Sequence, residues 1–172
     1  WFLGLRAMDA PLRTPERHST SFPVSGHHVL RGHDAGAFGA FRCGSLRDRF
    51  SQIDMLHLDV WWRGQNVLVD AGSFQYNAAP EWHAHFLRTS CHNTLMVDGR
   101  DQMVHHRQFK VLYWTKASLS SFQDHGAWAL VEGEHDGYRR YPGDCVHRRA
   151  VLFVKDDLWI VVDTVTGTGA HD

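Results

Sequence analysis

The 172 residues read as an all-β chain, an antiparallel β-sandwich, on three observations. Short apolar segments recur along most of the length. Polar turns, expected at Asp124-His125-Gly126, Asp136-Gly137, Pro142-Gly143-Asp144 and Lys155-Asp156-Asp157, separate them at close intervals. The aromatic content of 12%, with 7 Trp, suits half-buried pleated surfaces and excludes a disordered chain.

Residues 1–22 are rich in Pro, Arg, Ser and Thr without sustained periodicity, so they are expected to be a linker or arm from a preceding domain. The sandwich domain is expected to occupy 23–172 and to be truncated at its C-terminus. An edge segment and first strand fall in 21–31, where Pro23 is tolerated at an edge, and a second strand in 37–43. Asp54 to Trp62 alternates polar and apolar residues over its first half, which predicts a half-buried strand with His57 and Asp59 on one face. Arg63-Gly64-Gln65-Asn66 reads as a turn and Val67 to Gly72 as the return strand, with Asp70 at its end. Pro80 to Leu87 is the predicted helical turn, with Pro at its start. His92 to Asp101 is predicted as a strand closed by a Gly turn, and further strands are expected over 109–114, 117–122, 127–134, 146–155 and 158–164.

Lys and Arg number 18 against 19 Asp and Glu, a formal net charge of −1, so no global field favours nucleic acid. With 14 His, the charge rises as imidazoles protonate in mild acid. Cys43, Cys91 and Cys145 form no close pair, which argues against a disulfide scaffold; Cys91 is assigned a structural role. No apolar stretch approaches the length of a membrane span. The chain starts at Trp1 and stops just beyond an apolar strand, so both ends are expected to be cuts within something longer. Periplasmic, secreted and cytoplasmic locations in a bacterium are all compatible with it.

The segment from Gln52 to Asp101 gathers His57, Asp59, Asp70, Tyr76, His92 and Asn93 among strand-like residues. His57, Asp70 and His92 suit one divalent ion such as zinc, and three protein ligands leave a position for water. The competing assignment is a hydrogen-bonded core histidine at 57 and a turn acid at 70. Arg88, Arg100 and Arg107 flank the His92 segment, and the planar guanidinium suits carboxylates and sulfates. Trp61, Trp62 and Trp82 are candidate platforms for sugar rings or core residues. Arg139-Arg140 and Arg148-Arg149 are expected on solvated strand faces.

Three stretches, His57-Leu58-Asp59-Val60, Gly64 to Tyr76 and His92 to Gln102, together resemble the heparinase II/III-like family of polysaccharide lyases. The resemblance runs from about Phe22 to His171. It implies a supersandwich-like β-sandwich domain preceded by a helical α/α toroid domain, with the cleft for an acidic polysaccharide between them. It implies β-elimination on a uronic-acid-containing polysaccharide, glycosaminoglycan- or alginate-like, and a mainly structural zinc held by His57, Asp70 and His92. By the same resemblance Tyr76 is a candidate catalytic residue, with His92 the alternative that would act on substrate directly; Asn93, Arg88 and Trp82 are the candidate substrate contacts. Asp59 would orient His57 as a ligating histidine needs.

The family carries a His two residues before the first ligand, where this chain has Met55, and a thioether does no proton transfer at neutral pH. The helical domain supplies further catalytic groups, so the isolated chain is expected to be inactive. Two other readings compete: a non-catalytic carbohydrate-binding or interdomain module, and a cupin-like metalloenzyme whose His/Asp/His set does the chemistry.

Overall fold

Two antiparallel meanders make the body of the protein, described here from a computed structural model over residues 16–45, 52–75, 77, 79–107 and 110–172. The first sheet has β1 (Thr20–Phe22), β2 (His27–Arg31), β3 (Phe38–Arg42), β4 (Leu58–Trp62) and β5 (Gln65–Leu68) in sequence order. The second runs β11-β10-β9-β8, from β8 (Ala117–Asp124), β9 (Trp128–Tyr138), β10 (Cys145–Val154) and β11 (Leu158–Thr166). β6 (Val104–Arg107) and β7 (Lys110–Leu112) form a separate ribbon.

The two sheets bury their facing sides against each other. Leu30, Phe41, Leu58 and Val60 from the first meet Ala129, Val131, Val151 and Phe153 from the second in one apolar cluster. Trp159 of β11 stacks on Phe153 at 3.8 Å between ring centres. Its ring edge also lies over Gly39 of β3, where a Cβ would stand 2.7 Å from the indole. A side chain at 39 would therefore push the sheets apart.

β9 and β10 show the clearest period of two, with alternate residues turned inward. On β10 the inward set is Cys145, His147, Arg149, Val151 and Phe153, so the inner face changes from apolar at one end to polar at the other. His147 pairs across with His135 of β9, and Arg149 with Asp163 of β11. β11 closes one end of its sheet and leaves Leu158, Ile160, Val161, Val162 and Val165 exposed.

The only α-helix among the described residues is α1 (Pro80–Leu87), with proline in its first turn. Its C-terminal carbonyl, that of Leu87, accepts the Ile53 N–H at 2.9 Å. Ile53, Leu87, Met103 and Val111 form a second small core that fixes the helix and the β6–β7 ribbon beside the sandwich.

The differences from the sequence expectations are local and have physical causes. Thr20–Phe22 pairs with β2, so strand structure begins inside the stretch expected to be an arm. Asp54–His57 is a turn, not the start of a strand: the His57 N–H donates to the Asp54 carbonyl at 3.0 Å. Leu56 and His57 lie opposite the single residue Arg42, whose carbonyl accepts the Leu56 N–H at 2.7 Å and whose N–H donates to the His57 carbonyl at 2.9 Å. That is a bulge, and its first residue, Leu56, has the left-handed φ of 61° that glycine usually takes there.

His92–Asp101 is not a strand. Apart from one bridge between Val97 and Arg100 at a turn through Asp98 and Gly99, its polar groups bond to side chains and neighbouring loops. β6 was hidden by its polar Val-His-His-Arg sequence, and β9 continues through Asp136-Gly137, which was expected to be a turn. No helix among the described residues is long and apolar enough to cross a membrane.

Candidate functional site: a histidine–carboxylate cluster beside a bulge

The bulge at Leu56–His57 aims the His57 ring away from the strand alternation and toward the loops that follow β5 and α1. Asp70, just beyond β5, and His92, just beyond the short 3-10 turn Thr89–Cys91, reach the same place. His57 Nε2 lies 3.7 Å from Asp70 Oδ2, and His92 Nδ1 lies 3.6 Å from Asp70 Oδ1. The two imidazoles meet edge to face with 5.4 Å between ring centres. The Gly72 N–H donates to Asp70 Oδ1 at 2.7 Å and sets the carboxylate's direction.

Both imidazoles are buried, yet His57 Nε2 and both nitrogens of His92 have no hydrogen-bond partner. Leaving such groups unsatisfied costs about 1–3 kcal/mol each, so the arrangement is built for something other than packing. The Asn93 backbone N–H donates to His57 Nδ1 at 2.9 Å, so the neutral ring carries its proton on Nε2, facing Asp70. Burial holds the His57 pKa down to about 4, against a weaker upward pull from Asp70.

A fourth member, an acid not singled out in the sequence, belongs to this cluster. Asp54 is partly buried, and desolvation pushes its pKa up against the opposing pull of Arg42; it also feels the charges of His92 and Asp70. Arg42 Nε lies 3.9 Å from its Oδ2. Position 54 was read as the polar start of a strand, and only the turn reveals it as a neighbour of the site.

Asn93 ties the cluster together. Its Nδ2 donates to the carbonyls of Val69, at 3.0 Å, and Leu58, at 3.3 Å, so the amide expected to meet substrate braces the loop that carries Asp70. Asp59 has Asn66 as its hydrogen-bond partner, at 3.3 Å, and influences His57 by charge alone; the group that orients the ring is the Asn93 amide. Arg88 is half exposed and pairs with Asp101 at 2.9 Å. It lines a surface hollow of about 470 Å³ with Arg100, His105 and Tyr141. Trp82 is half exposed and packs with Phe74 and Phe86. Tyr76 lies outside the described residues.

Met55, where the family pattern has His, is fully buried in the sandwich core. The Gln102 side chain clamps its backbone: the Met55 N–H donates to Oε1 and Nε2 donates to the Met55 carbonyl, each at 2.9 Å. Arg149, expected on a solvated face, is buried; its neighbour Arg148 is the exposed one of the pair. Arg140 is also partly buried and donates to the backbone carbonyls of Asp101, Gln102 and Gly137.

As they stand, no three His, Cys, Asp or Glu side chains among the described residues form a group that could hold a metal ion. The donor set nevertheless fits one. Tetrahedral zinc with bonds of about 2.0–2.1 Å separates neighbouring ligand atoms by about 3.4 Å, close to the nitrogen–oxygen spacings around Asp70. Ligation through His57 Nε2 would leave the ring proton on Nδ1, so the Asn93 amide bond would be given up.

Sandwich and cluster together define an antiparallel β domain with two buried histidines and an exposed carboxylate on one flank. The chain belongs to the heparinase II/III-like family: residues 14–172 match the family's C-terminal region. A heparin-sulfate lyase of Bacteroides stercoris is 26% identical over 163 residues, which is 90% of this chain and 22% of that protein. Solved structures of a heparinase III gene product and of heparan sulfate lyase HepC from Pedobacter heparinus share the fold, each with a TM-score of 0.73 at 23% and 22% identity. In both, 91% of this chain covers 23% of the other. The chain thus spans less than a quarter of the relatives it matches.

Proposed function

We propose that this chain is the sandwich domain of a polysaccharide lyase that cleaves uronic-acid-containing acidic polysaccharide by β-elimination. The observation that carries the reading is the His57/Asp70/His92 cluster, whose buried nitrogens have no protein partner and surround one carboxylate. In such a reaction the uronate carboxylate must be neutralised, the neighbouring C–H deprotonated by a positioned base, and the leaving oxygen protonated. His57 and His92, with Asp70, would hold a zinc ion whose chemistry is to fix this wall of the cleft by charge. Arg88 and Arg100, beside their surface hollow, suit the anionic groups of the sugar, and Trp82 offers a half-exposed ring for a sugar face. Tyr76 and His92 are the candidates for contact with the reacting sugar.

With Met55 in the core and the relatives more than four times as long, this domain supplies a wall and the remainder of a longer protein supplies the rest of the machinery. The expected result is one zinc per chain by elemental analysis, lost in His57→Ala and in Asp70→Ala. The isolated chain should release no unsaturated uronate from heparan sulfate, whereas the longer protein should, with new absorbance in the ultraviolet. A folded, metal-free native chain would overturn the zinc site. Unsaturated product absent from the longer protein on every uronate polymer would leave a non-catalytic carbohydrate module.

A further inference from the structure

The polar end of the sandwich's inner face contains a buried side-chain network that the proposed chemistry does not use. Arg149 lies at its centre. Its Nε donates to Asp163 Oδ1 at 2.7 Å and its Nη2 to Asp163 Oδ2 at 2.8 Å, a two-point grip that fixes the plane of the guanidinium. The remaining nitrogen, Nη1, donates to two backbone carbonyls, those of Leu56, at 2.9 Å, and Asn93. Leu56 is the residue before His57, and Asn93 is the residue after His92.

Asp163 is held in turn from the other side. The Gly137 N–H donates to His135 Nδ1 at 3.1 Å, which puts the His135 proton on Nε2. That proton goes to His147 Nδ1 at 3.1 Å, and His147 Nε2–H goes to Asp163 Oδ1 at 2.6 Å. Every donor in the chain points one way, toward the carboxylate. Both rings are buried and neutral in this pattern, and Asp163 is the anion that matches Arg149.

We propose that Arg149 is the positioning residue of the His57/His92 pair. One guanidinium, oriented by Asp163 and the His135–His147 relay, fixes the two backbone carbonyls that flank the imidazoles and so sets their mutual geometry. The Leu56 carbonyl belongs to the left-handed bulge residue, and a bulge with a bulky first residue persists only where its surroundings hold it. Arg149 supplies that hold. On the opposite side it fixes Asn93, whose own N–H sets the His57 tautomer. Both walls of the cluster are therefore registered to a single rigid side chain on β10. The inference rests on the reading above only in taking His57 and His92 as the functional pair.

The test reads the imidazoles directly, in chelator-treated protein, by nitrogen-15 NMR of the ring nitrogens. Arg149→Lys keeps the charge and loses the planar fork. Asp163→Asn removes the anion that orients the fork while keeping the side chain's size. Val151→Ala, two residues along the same strand and fully buried, controls for lost packing alone. In the native chain His57 should show the Nε2–H form alone, with a cross-peak to His92.

Arg149→Lys should give a mixture of His57 tautomers and at least a twofold weaker cross-peak. Asp163→Asn should do the same to a smaller extent, and Val151→Ala should leave both signals native. Unchanged His57 and His92 signals in Arg149→Lys, or in Asp163→Asn if the lysine variant does not fold, overturn the proposal; so does an equal change in Val151→Ala. The measurement is made without metal, so failure to bind zinc would sink the metal site and leave this result standing.

Discussion

Met55 shows how one side chain can be read two ways. Two residues before His57 it stands where the family pattern puts an imidazole, yet the left-handed turn at Leu56 breaks the period of two and sends position 55 into the core. Gln102 and Thr94 saturate its backbone, and its side chain lies in the apolar cluster. Met55→His would exchange a buried thioether for a buried ring with unmet hydrogen bonds. It should destabilise the domain by about 3 kcal/mol, combining lost apolar burial with an unsatisfied polar group. Urea unfolding measures this; an unchanged midpoint would mean that position 55 faces the cleft after all. Asp54, one residue earlier, is the converse case, a plain acid in the sequence that the turn partly buries beside the cluster.

Strand and turn elements each contribute a buried histidine kept neutral: His28 on β2, His57 at the bulge and His135 on β9. Burial is the leading cause for all three, lowering His28, taking His57 to about 4 and holding His135 well below the ordinary value of 6.5. In the unfolded chain each takes up a proton near 6.5, so between that pH and the lower folded values the unfolded state binds more protons. Stability then falls as pH falls, by up to about 1.4 kcal/mol per pH unit for each such histidine. Burial raises Asp54 above its ordinary 3.8, which acts in the opposite sense just above that value. Asp163 is held low by hydrogen bonds from His147 and Arg149 that outweigh burial, and its contribution is lost only in stronger acid. Metal-free protein should therefore melt at a progressively lower temperature from pH 7 to pH 5. A flat melting temperature over that interval would show that these imidazoles are solvated in the folded state.

Much of this architecture was readable in the residues. The period of two in β9 and β10, the polar turns between the strands and Pro80 at the helix start are strong local signals, and the structure keeps them. The convergence of His57, Asp70 and His92 depends on loops whose course no local signal gives. The His92 segment misled because apolar alternation does not reveal that its backbone is tied to side chains. Arg149 and its histidine partners were missed because polar residues in a strand read as outward-facing. Their parity held the clue, since His147 and Arg149 share their face with Val151 and Phe153.

β11 departs from this alternation and is exposed along nearly its whole length. Along the open side of the second sheet Leu158, Ile160, Val161 and Val162 hold apolar side chains in water, Trp159 alone packing inward on Phe153, with no charged residue before Asp163. Its outer backbone groups have no neighbouring strand among the described residues. Such an edge is a template for another copy of itself. As a free-standing piece the domain should associate through β11 as its concentration rises, in sedimentation or light scattering. Val162→Lys, which puts a charge on that edge, should keep it monomeric. A native chain that stays monomeric at every concentration would mean that the edge is blunted by its own twist. Association of this kind would limit how concentrated the free domain can be kept in solution, independently of any chemistry at its histidines.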